Sequence, residues 1–294
     1  MLKYLQKNKD ITSLSNFHTK ANTKYYFEIN TNNDLSKLKE INSFANKNKL
    51  KILFIWAGTN MLFAFDEYNW VIIKNNLSGW KYDKEIKILE SYSQELISDI
   101  AESLEKDYGQ KLWHRFIGLP WTIWWAIYWN AWCFWLETEN NFLKAEVINL
   151  ENGHMSILSK KDMCFSYRNS ILKQNWNKYF LVKAYFDLSK KIEKYHSDID
   201  NIDFRKNKQP SWYTCWSFFK NPNREQSAWY LIEQVWLKWY KIWWAYFSEL
   251  HANFLMNDWT ATYSDLLKLI KLAQTKIKDQ FNIDLINEVK IIKN

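Results

Sequence analysis

The spacing of apolar positions predicts a chain that mixes helices and strands. Tyr25 to Asn30 reads as a strand, and Leu35, Leu38, Ile41, Phe44 and Ala45 recur at helical spacing. Lys51 to Ile55 is a second strand, followed by a loop at Trp56-Ala57-Gly58-Thr59-Asn60 and a strand at Val71 to Lys74. That order points to an α/β lobe over residues 1–75. A second lobe, 76–192, opens with a strand-like run at Ile86 to Glu90 and a helix carrying Leu96, Ile97, Ile100 and Leu104. Lys144 to Leu158 reads as a hairpin across Glu151-Asn152-Gly153, because Asn-Gly favours tight turns, and Tyr179 to Leu188 as a further strand. Residues 193–209 are polar with little periodicity and read as a linker. The third unit, 210–281, ends in a helix at Tyr263 to Lys278, and 282–294 holds a short strand at Val289 to Ile292.

One segment breaks the pattern. Leu119 to Trp135 reads LPWTIWWAIYWNAWCFW, with Trp wherever a backbone turn would call for Gly. With Gly in those places it becomes LPGTIGGAIYGNAGCFG, a loop system in which the missing Cβ permits φ > 0 and close approach of a ligand. The composition agrees, with 19 Trp and 5 Gly in 294 residues. Reading every Trp as Gly brings glycine to about 8%, near the ordinary level of about 7%. Some bacteria read the codon UGA as glycine, and translation with UGA as Trp would produce this sequence. Positive φ is therefore expected at several of Trp56, Trp121, Trp124, Trp125, Trp129, Trp132, Trp216, Trp243 and Trp244. Trp80 follows Gly79, where an aromatic could pack, and is the one tryptophan not assigned to glycine. The uncharged run from Phe116 to Leu136 would score as a membrane span, but Pro120 and Asn130 interrupt it and its Trp content accounts for its hydropathy. The chain is expected to be soluble and cytoplasmic, with no signal peptide in MLKYLQKNKD.

The net charge of +8 is carried mostly by Lys, with Arg only at Arg115, Arg168, Arg205 and Arg224. An AT-rich genome accounts for the Lys and Asn, so nucleic acid is not an expected partner, and a mild basic excess suits phosphate-bearing ligands. Cys133, Cys164 and Cys215 lack metal-ligand spacing and read as free thiols in a reducing compartment. No metal is expected.

Three motifs carry chemistry. The loops at Trp56 to Asn60 and Leu119 to Trp135 are of the kind whose exposed N–H groups make concave anion sites. Cys215 to Pro222 reads CGSFFKNP after correction. The third comprises Tyr167-Arg168-Asn169-Ser170 and Asn287-Glu288-Val289-Lys290. With Ser227 to Ala245, SAGYLIEQVGLKGYKIGGA after correction, these motifs resemble the MurB family, the UDP-N-acetylenolpyruvoylglucosamine reductases of peptidoglycan synthesis, from about Phe17 to Ile292.

The resemblance implies an α+β fold: a two-lobed FAD-binding region of the p-cresol methylhydroxylase type, a separate α/β substrate domain, and a last strand returning Glu288 to the flavin. It implies FAD as cofactor and NADPH as co-substrate, with a hydride passing from flavin N5 to the enolpyruvyl methylene carbon of a UDP-linked sugar. Arg168 matches the arginine that binds the substrate carboxylate, for which a planar, permanently charged guanidinium is suited. Glu288 matches the glutamate that assists the enolate, and Ser217 the proton donor. Tyr167, Lys208 and Asn221 match substrate-binding positions. Trp56, Ala57, Gly58, Thr59, Asn60, Pro120, Trp121, Thr122, Trp124, Trp125, Asn130 and Ala131 fall in the FAD loops. The chain departs from the family in three places. Phe17 to Phe27 lacks a Gly-Gly pair, Lys290 stands where Arg is usual, and the short Arg168–Ser217 separation resembles the shorter subclass. A monomer is expected. Two alternatives are another flavin oxidoreductase of the superfamily acting on a sugar, and a carbohydrate- or membrane-binding protein that uses the tryptophans as written.

Overall fold

In this computed structural model, residues 2–133, 135–175, 178–190, 202, 210, 213–223 and 225–294 are described. The expected linker at 193–209, apart from Ile202, and Lys208 within it lie outside them. The chain divides into two compact units: Met1–Leu5, Phe27–Ala57 and Val71–Arg205 form the first, and Gln6–Tyr26, Gly58–Trp70 and Lys206–Asn294 the second.

Helical spacing in the first lobe yields a 3-10 turn at Asn32–Lys37 running into α1, Leu38–Lys47. Its buried stripe is Leu38, Ile41 and Ala45, the i, i+3, i+7 face of an amphipathic helix. Thr31 and Asp34 cap the start of the 3-10 turn reciprocally, satisfying backbone donors that a helix leaves open. The strand expected at Tyr25 begins earlier, in β2 (Asn22–Ile29), where it pairs antiparallel with β1 (Gln6–Asp10). β3 (Ile52–Ile55) pairs parallel with the second half of β5 (Glu67–Asn75), setting Ile55 opposite Lys74. Between them in sequence runs β4, Met61–Phe63.

The rest of the first unit is an antiparallel sheet in the order β11-β10-β12-β7-β6, formed by Met155–Ser159, Phe142–Asn149, Tyr179–Asp187, Ile88–Tyr92 and Trp80–Asp83 respectively. The expected hairpin is β10–β11, with Gly153 at φ 77° in its turn. Helix α2, Ile97–Tyr108, packs Ile97, Ile100, Ala101 and Leu104 into a core with Leu89, Val147, Leu181 and Phe186. It ends on Gly109 at φ 65°, a left-handed cap that glycine adopts without a Cβ penalty.

The segment expected to be all loop contains α3, Ile123–Tyr128, with Thr122 at its N-cap accepting from the Trp125 N–H at 3.2 Å. A two-stranded pair follows, β8 (Trp132–Cys133) with β9 (Leu136–Glu137), then the short α4, Thr138–Asn141. The uncharged run is thus broken into short pieces, and no described helix is long and apolar enough to cross a membrane. A single helical turn, α5 at Ile171–Gln174, follows the Tyr167-Arg168 motif.

The second unit carries a sheet in the order β13-β16-β15-β14, formed by Thr214–Ser217, Phe254–Asn257, Ala245–Phe247 and Lys241–Ile242. Helices α6 (Ala228–Gln234) and α7 (Tyr263–Phe281) bury Leu231, Ile232, Leu266, Leu269 and Ile270 in a core with Phe218, Phe247 and Leu255. α7 runs three residues past the expected end and stops at Asn282, φ 56°. The last strand, β17 (Lys290–Ile292), pairs parallel with β4, setting Lys290 opposite Met61.

The backbone sorts the tryptophans. Of the nine positions expected to have positive φ, only Trp216 (64°) and Trp243 (53°) do; Trp56, Trp121, Trp124, Trp125, Trp129, Trp132 and Trp244 do not. Trp124 and Trp125 fall inside α3, where helical φ is negative, and Trp129 is its C-cap at −96°. Four others are left-handed instead: Trp135 (68°), Trp236 (58°), Trp239 (62°) and Trp259 (66°). Trp236 follows the end of α6; its N–H donates to the Glu233 carbonyl and that of Leu237 to Ile232, a Schellman pattern that favours glycine here. Trp243 is the first residue of a two-residue loop between Ile242 and Ala245, a position tight hairpins give to glycine or asparagine. Trp216 sits where the β13–β16 register slips between Thr214 and Ser217, as in a bulge with a left-handed residue.

Candidate active site

Apart from Lys208, the expected site residues fall into one cluster in each unit. In the first unit, Trp56 leaves the end of β3 and is buried. Its indole stacks on Trp124 of α3 with centroids 4.1 Å apart and planes 9° apart, and its Nε1–H donates to Ser93 Oγ at 3.0 Å. The same hydroxyl accepts from Asn75 Nδ2 (3.1 Å) and donates to the Leu181 carbonyl (2.7 Å). The Trp124 N–H donates to the Ser93 carbonyl (2.9 Å), that of Ile123 to Glu95 (2.8 Å), and that of Ile97 to Trp121 (2.8 Å). Ser93 therefore joins both loops. Lys74 Nζ donates to the Trp56 carbonyl and to that of Asn75 (3.2 Å); burial pulls its pKa down to about 8. Neither Ser93 nor Lys74 was singled out by sequence. The only hint was a Lys closing the apolar strand VIIK.

Pro120 and Trp121 lead into the Thr122 cap, and Ala131 is fully buried with its N–H on the Ala126 carbonyl at 2.8 Å. Asn130, also buried, has a φ of 42°. Tyr167 is exposed, and Arg168 has a φ of 54° in a turn closed by mutual backbone hydrogen bonds of Ser166 and Asn169. Ser170 Oγ donates to the Tyr128 carbonyl at 2.8 Å, tying this turn to the end of α3.

In the second unit the first loop continues through Gly58, Thr59 and Asn60. Gly58 has a φ of 68°, and a Cβ there would lie 2.0 Å from the Leu14 carbonyl oxygen. Only glycine fits. Its carbonyl accepts the Asn16 N–H at 3.2 Å. Asn60 brackets the returning segment: its Nδ2 donates to the Glu288 carbonyl (3.3 Å) and its own carbonyl accepts from the Lys290 N–H (3.2 Å). Glu288 in turn donates its N–H to the Phe218 carbonyl at 2.8 Å. The structure thus brings the Ser217 strand, Glu288 and Asn60 together through the main chain. Asn253 holds the motif from beneath, donating to the Phe219 carbonyl (2.8 Å) and accepting its N–H (2.9 Å). Asn221 Oδ1 accepts the Ala228 N–H at 2.9 Å and so caps α6. Cys215 is buried, its thiol pushed up to about 12 by that burial, which leaves it inert. Lys290 is held below its ordinary value by burial. Among the described residues, no three His, Cys, Asp or Glu form a metal-binding group.

A dinucleotide diphosphate needs main-chain N–H groups it can approach. As written, the Trp56–Trp124 indole pair fills the space between the two loops of the first unit, so these side chains do not fit FAD. Glycine at the two positions removes both rings.

The arrangement is that of a mixed α+β protein whose Ser217 segment lies beside a returning terminal strand. A family model, the C-terminal domain of UDP-N-acetylenolpyruvoylglucosamine reductase, matches residues 209–292. The UDP-N-acetylenolpyruvoylglucosamine reductase of Bacillus pumilus is 32% identical over 268 residues, covering 88% of this chain and 85% of that protein. That of Chlamydia trachomatis serovar L2 is 28% identical, covering 98% and 96%. The crystal structure of the MurB reductase from Thermus caldophilus matches with a TM-score of 0.72 at 17% identity, over 99% of this chain and all of that one, and so shares the fold. The chain belongs to the UDP-N-acetylenolpyruvoylglucosamine reductase family.

Proposed function

We propose that this protein reduces the enolpyruvyl group of UDP-N-acetylglucosamine enolpyruvate to UDP-N-acetylmuramate, with FAD as cofactor and NADPH as reductant. In its natural form it carries glycine where UGA has been read as Trp. The observation that carries the activity is the main-chain link between the CWSFFKNP motif and Glu288. Support for glycine comes from the left-handed tryptophans, since a bulky residue at φ > 0 is an outlier. In addition, Trp113 is buried with an Nε1–H that has no acceptor among the described residues, whereas a buried indole usually finds one. Trp80 lies in β6 with ordinary φ, its ring edge-on to Tyr108, and this position asks for no glycine.

FAD, when bound, supplies the hydride. The roles assigned to the chain's own residues follow from their chemistry. Arg168 grips the substrate carboxylate through two parallel hydrogen bonds. Glu288 stabilises charge developing on that group, and Ser217 gives its hydroxyl proton to the neighbouring carbon. Tyr167, Lys208 and Asn221 contact the rest of the substrate. Ala57 to Asn60 and the 120–131 segment hold the flavin with glycine at the Trp positions. The protein works in the cytoplasm as a monomer.

Two measurements test this reading. The coding DNA and the masses of proteolytic peptides from the native host decide between UGA-encoded glycine and genuine Trp. The Gly-decoded protein should purify yellow and turn over NADPH beyond one equivalent per flavin only when the UDP-linked enolpyruvyl sugar is present. UGG codons at these positions would restore the reading of the tryptophans as a binding surface. NADPH oxidation driven by a sugar lacking the enolpyruvyl group would favour the rival oxidoreductase.

A further inference from the structure

Asn130 is the most heavily engaged side chain at the end of α3. Its Nδ2 donates to Glu137 Oε2 at 3.1 Å and to the Ser166 carbonyl at 3.3 Å, and its Oδ1 accepts the Glu139 N–H at 3.0 Å. Ser166 exchanges backbone hydrogen bonds with Asn169 at 3.2 and 3.0 Å, closing the turn that carries Tyr167 and Arg168. The Asn130 amide therefore ties the arginine turn to the second loop. An amide could sit either way round; here an acceptor, Glu137, on one side and a donor, the Glu139 N–H, on the other allow one orientation. Glu137 is itself fixed as the N-cap of α4, donating its N–H to Asn140 Oδ1 at 2.7 Å.

The charges around Glu137 come from two directions. Glu139, two residues on in α4, acts on its carboxyl, as does Arg168 from the neighbouring turn. Lys173 reaches the Arg168 carbonyl at 2.8 Å from α5. Burial, and then Glu139, raise the Glu137 pKa; Asn130 and Arg168 oppose them more weakly.

We infer that Glu137 is a positioning residue for substrate binding: through the Asn130 amide it holds the turn from which Arg168 reaches the substrate carboxylate. This rests on the carboxylate-binding role given to Arg168 above. No motif marks Glu137, and only the network reveals it.

The experiment uses the Gly-decoded enzyme and separates KM for the enolpyruvyl sugar from the rate of flavin reduction by NADPH. Glu137→Ala should raise that KM about ten-fold, the loss of roughly one hydrogen bond to a charged group, and leave flavin reduction unchanged. Glu137→Gln should stay within about two-fold of wild type, because its amide can accept from Asn130 and donate to Glu139. In the wild type, KM should rise as pH climbs past the raised Glu137 pKa and its carboxyl ionises beside Glu139; in Glu137→Gln that rise should be absent. Arg168→Met should raise KM further, and adding Glu137→Ala to it should cost nothing more. If Arg168→Met leaves KM unchanged, the role of Arg168 is wrong. If Arg168→Met acts but Glu137→Ala, still yellow and folded, does not, the inference is overturned. It is equally overturned if Glu137→Gln shows the wild-type pH dependence.

Discussion

The tryptophans of α3 and three of those between Ala228 and Phe247, Trp236, Trp239 and Trp243, stand on opposite kinds of backbone. In α3 the main chain is helical, and the indoles pack on one another: Trp124 on Trp56, and Trp125 at 5.3 Å from Trp129. Any L-residue accepts that backbone, so the misfit lies between side chain and ligand. In the second group Trp236, Trp239 and Trp243 have positive φ, and Trp236 and Trp243 are 86% and 77% exposed. There the misfit lies in the backbone itself. Glycine can thus be required for two independent reasons, ligand approach or φ, and the two predict different failures.

The largest effect should separate those failures. The chain as written should hold no FAD. Restoring glycine only at Trp135, Trp216, Trp236, Trp239, Trp243 and Trp259 should relieve strain of about 1–3 kcal/mol per position and raise Tm, yet leave the protein colourless. Adding Trp56→Gly and Trp124→Gly should then give stoichiometric FAD. Absorbance at flavin wavelengths and a thermal melt read both outcomes. A literal-Trp protein that folds and retains FAD would end the argument.

Trp216 tests the comparison within the site, because its bulge immediately precedes Ser217. Ser217→Ala in the Gly-decoded enzyme should slow substrate reduction about 10²–10⁴-fold, the usual worth of a placed proton donor, while flavin reduction by NADPH proceeds normally in stopped flow. Equal slowing of both half-reactions would sink the proton-donor role. Gly58→Ala should act on stability instead. Its Cβ would meet backbone rather than a movable side chain, so chemical denaturation should show a loss of at least about 1–3 kcal/mol. An unchanged midpoint would mean that the loop shifts freely.

The sequence disclosed most where local chemistry decides. α1, α2, α7, the β10–β11 hairpin and the terminal strand lie within a few residues of where apolar spacing put them. It disclosed least where letters and backbone disagree. Leu119 to Trp135 read as loop because every Trp was taken for a turn glycine, yet Thr122 caps a helix and two of those positions are simply helical. The strands β14 and β15 escaped notice because three or fewer residues on either side of a Trp-Trp pair carry too little periodicity. In the site, Ser217 and Glu288 were visible through their motifs. Ser93, Lys74 and Glu137 were not, since each acts through partners distant in sequence or through a buried amide that no spacing reports.

The smallest effect concerns Lys74, which holds the Trp56 carbonyl in the region where the ligand, not φ, sets the demand. Burial lowers its pKa from 10.5 to about 8 in the folded protein. Between those values the unfolded chain binds more protons than the folded one, so stability should rise with pH, by at most about 1.4 kcal/mol per pH unit. Lys290, also lowered by burial, adds a slope of the same sign, whereas Cys215, with its thiol raised by burial, opposes it above about pH 9. The difference between wild type and Lys74→Met removes both contributions and isolates Lys74. Urea denaturation at pH 8 and pH 9 should therefore give a shallower rise in the Met variant. Equal slopes would show a solvated ammonium, and the carbonyl of residue 56 would then be held by the strand ladder alone. A shallower slope would show that the loop is braced by a side chain that works equally well with Trp or Gly at 56, leaving the ring alone to decide whether the ligand can enter.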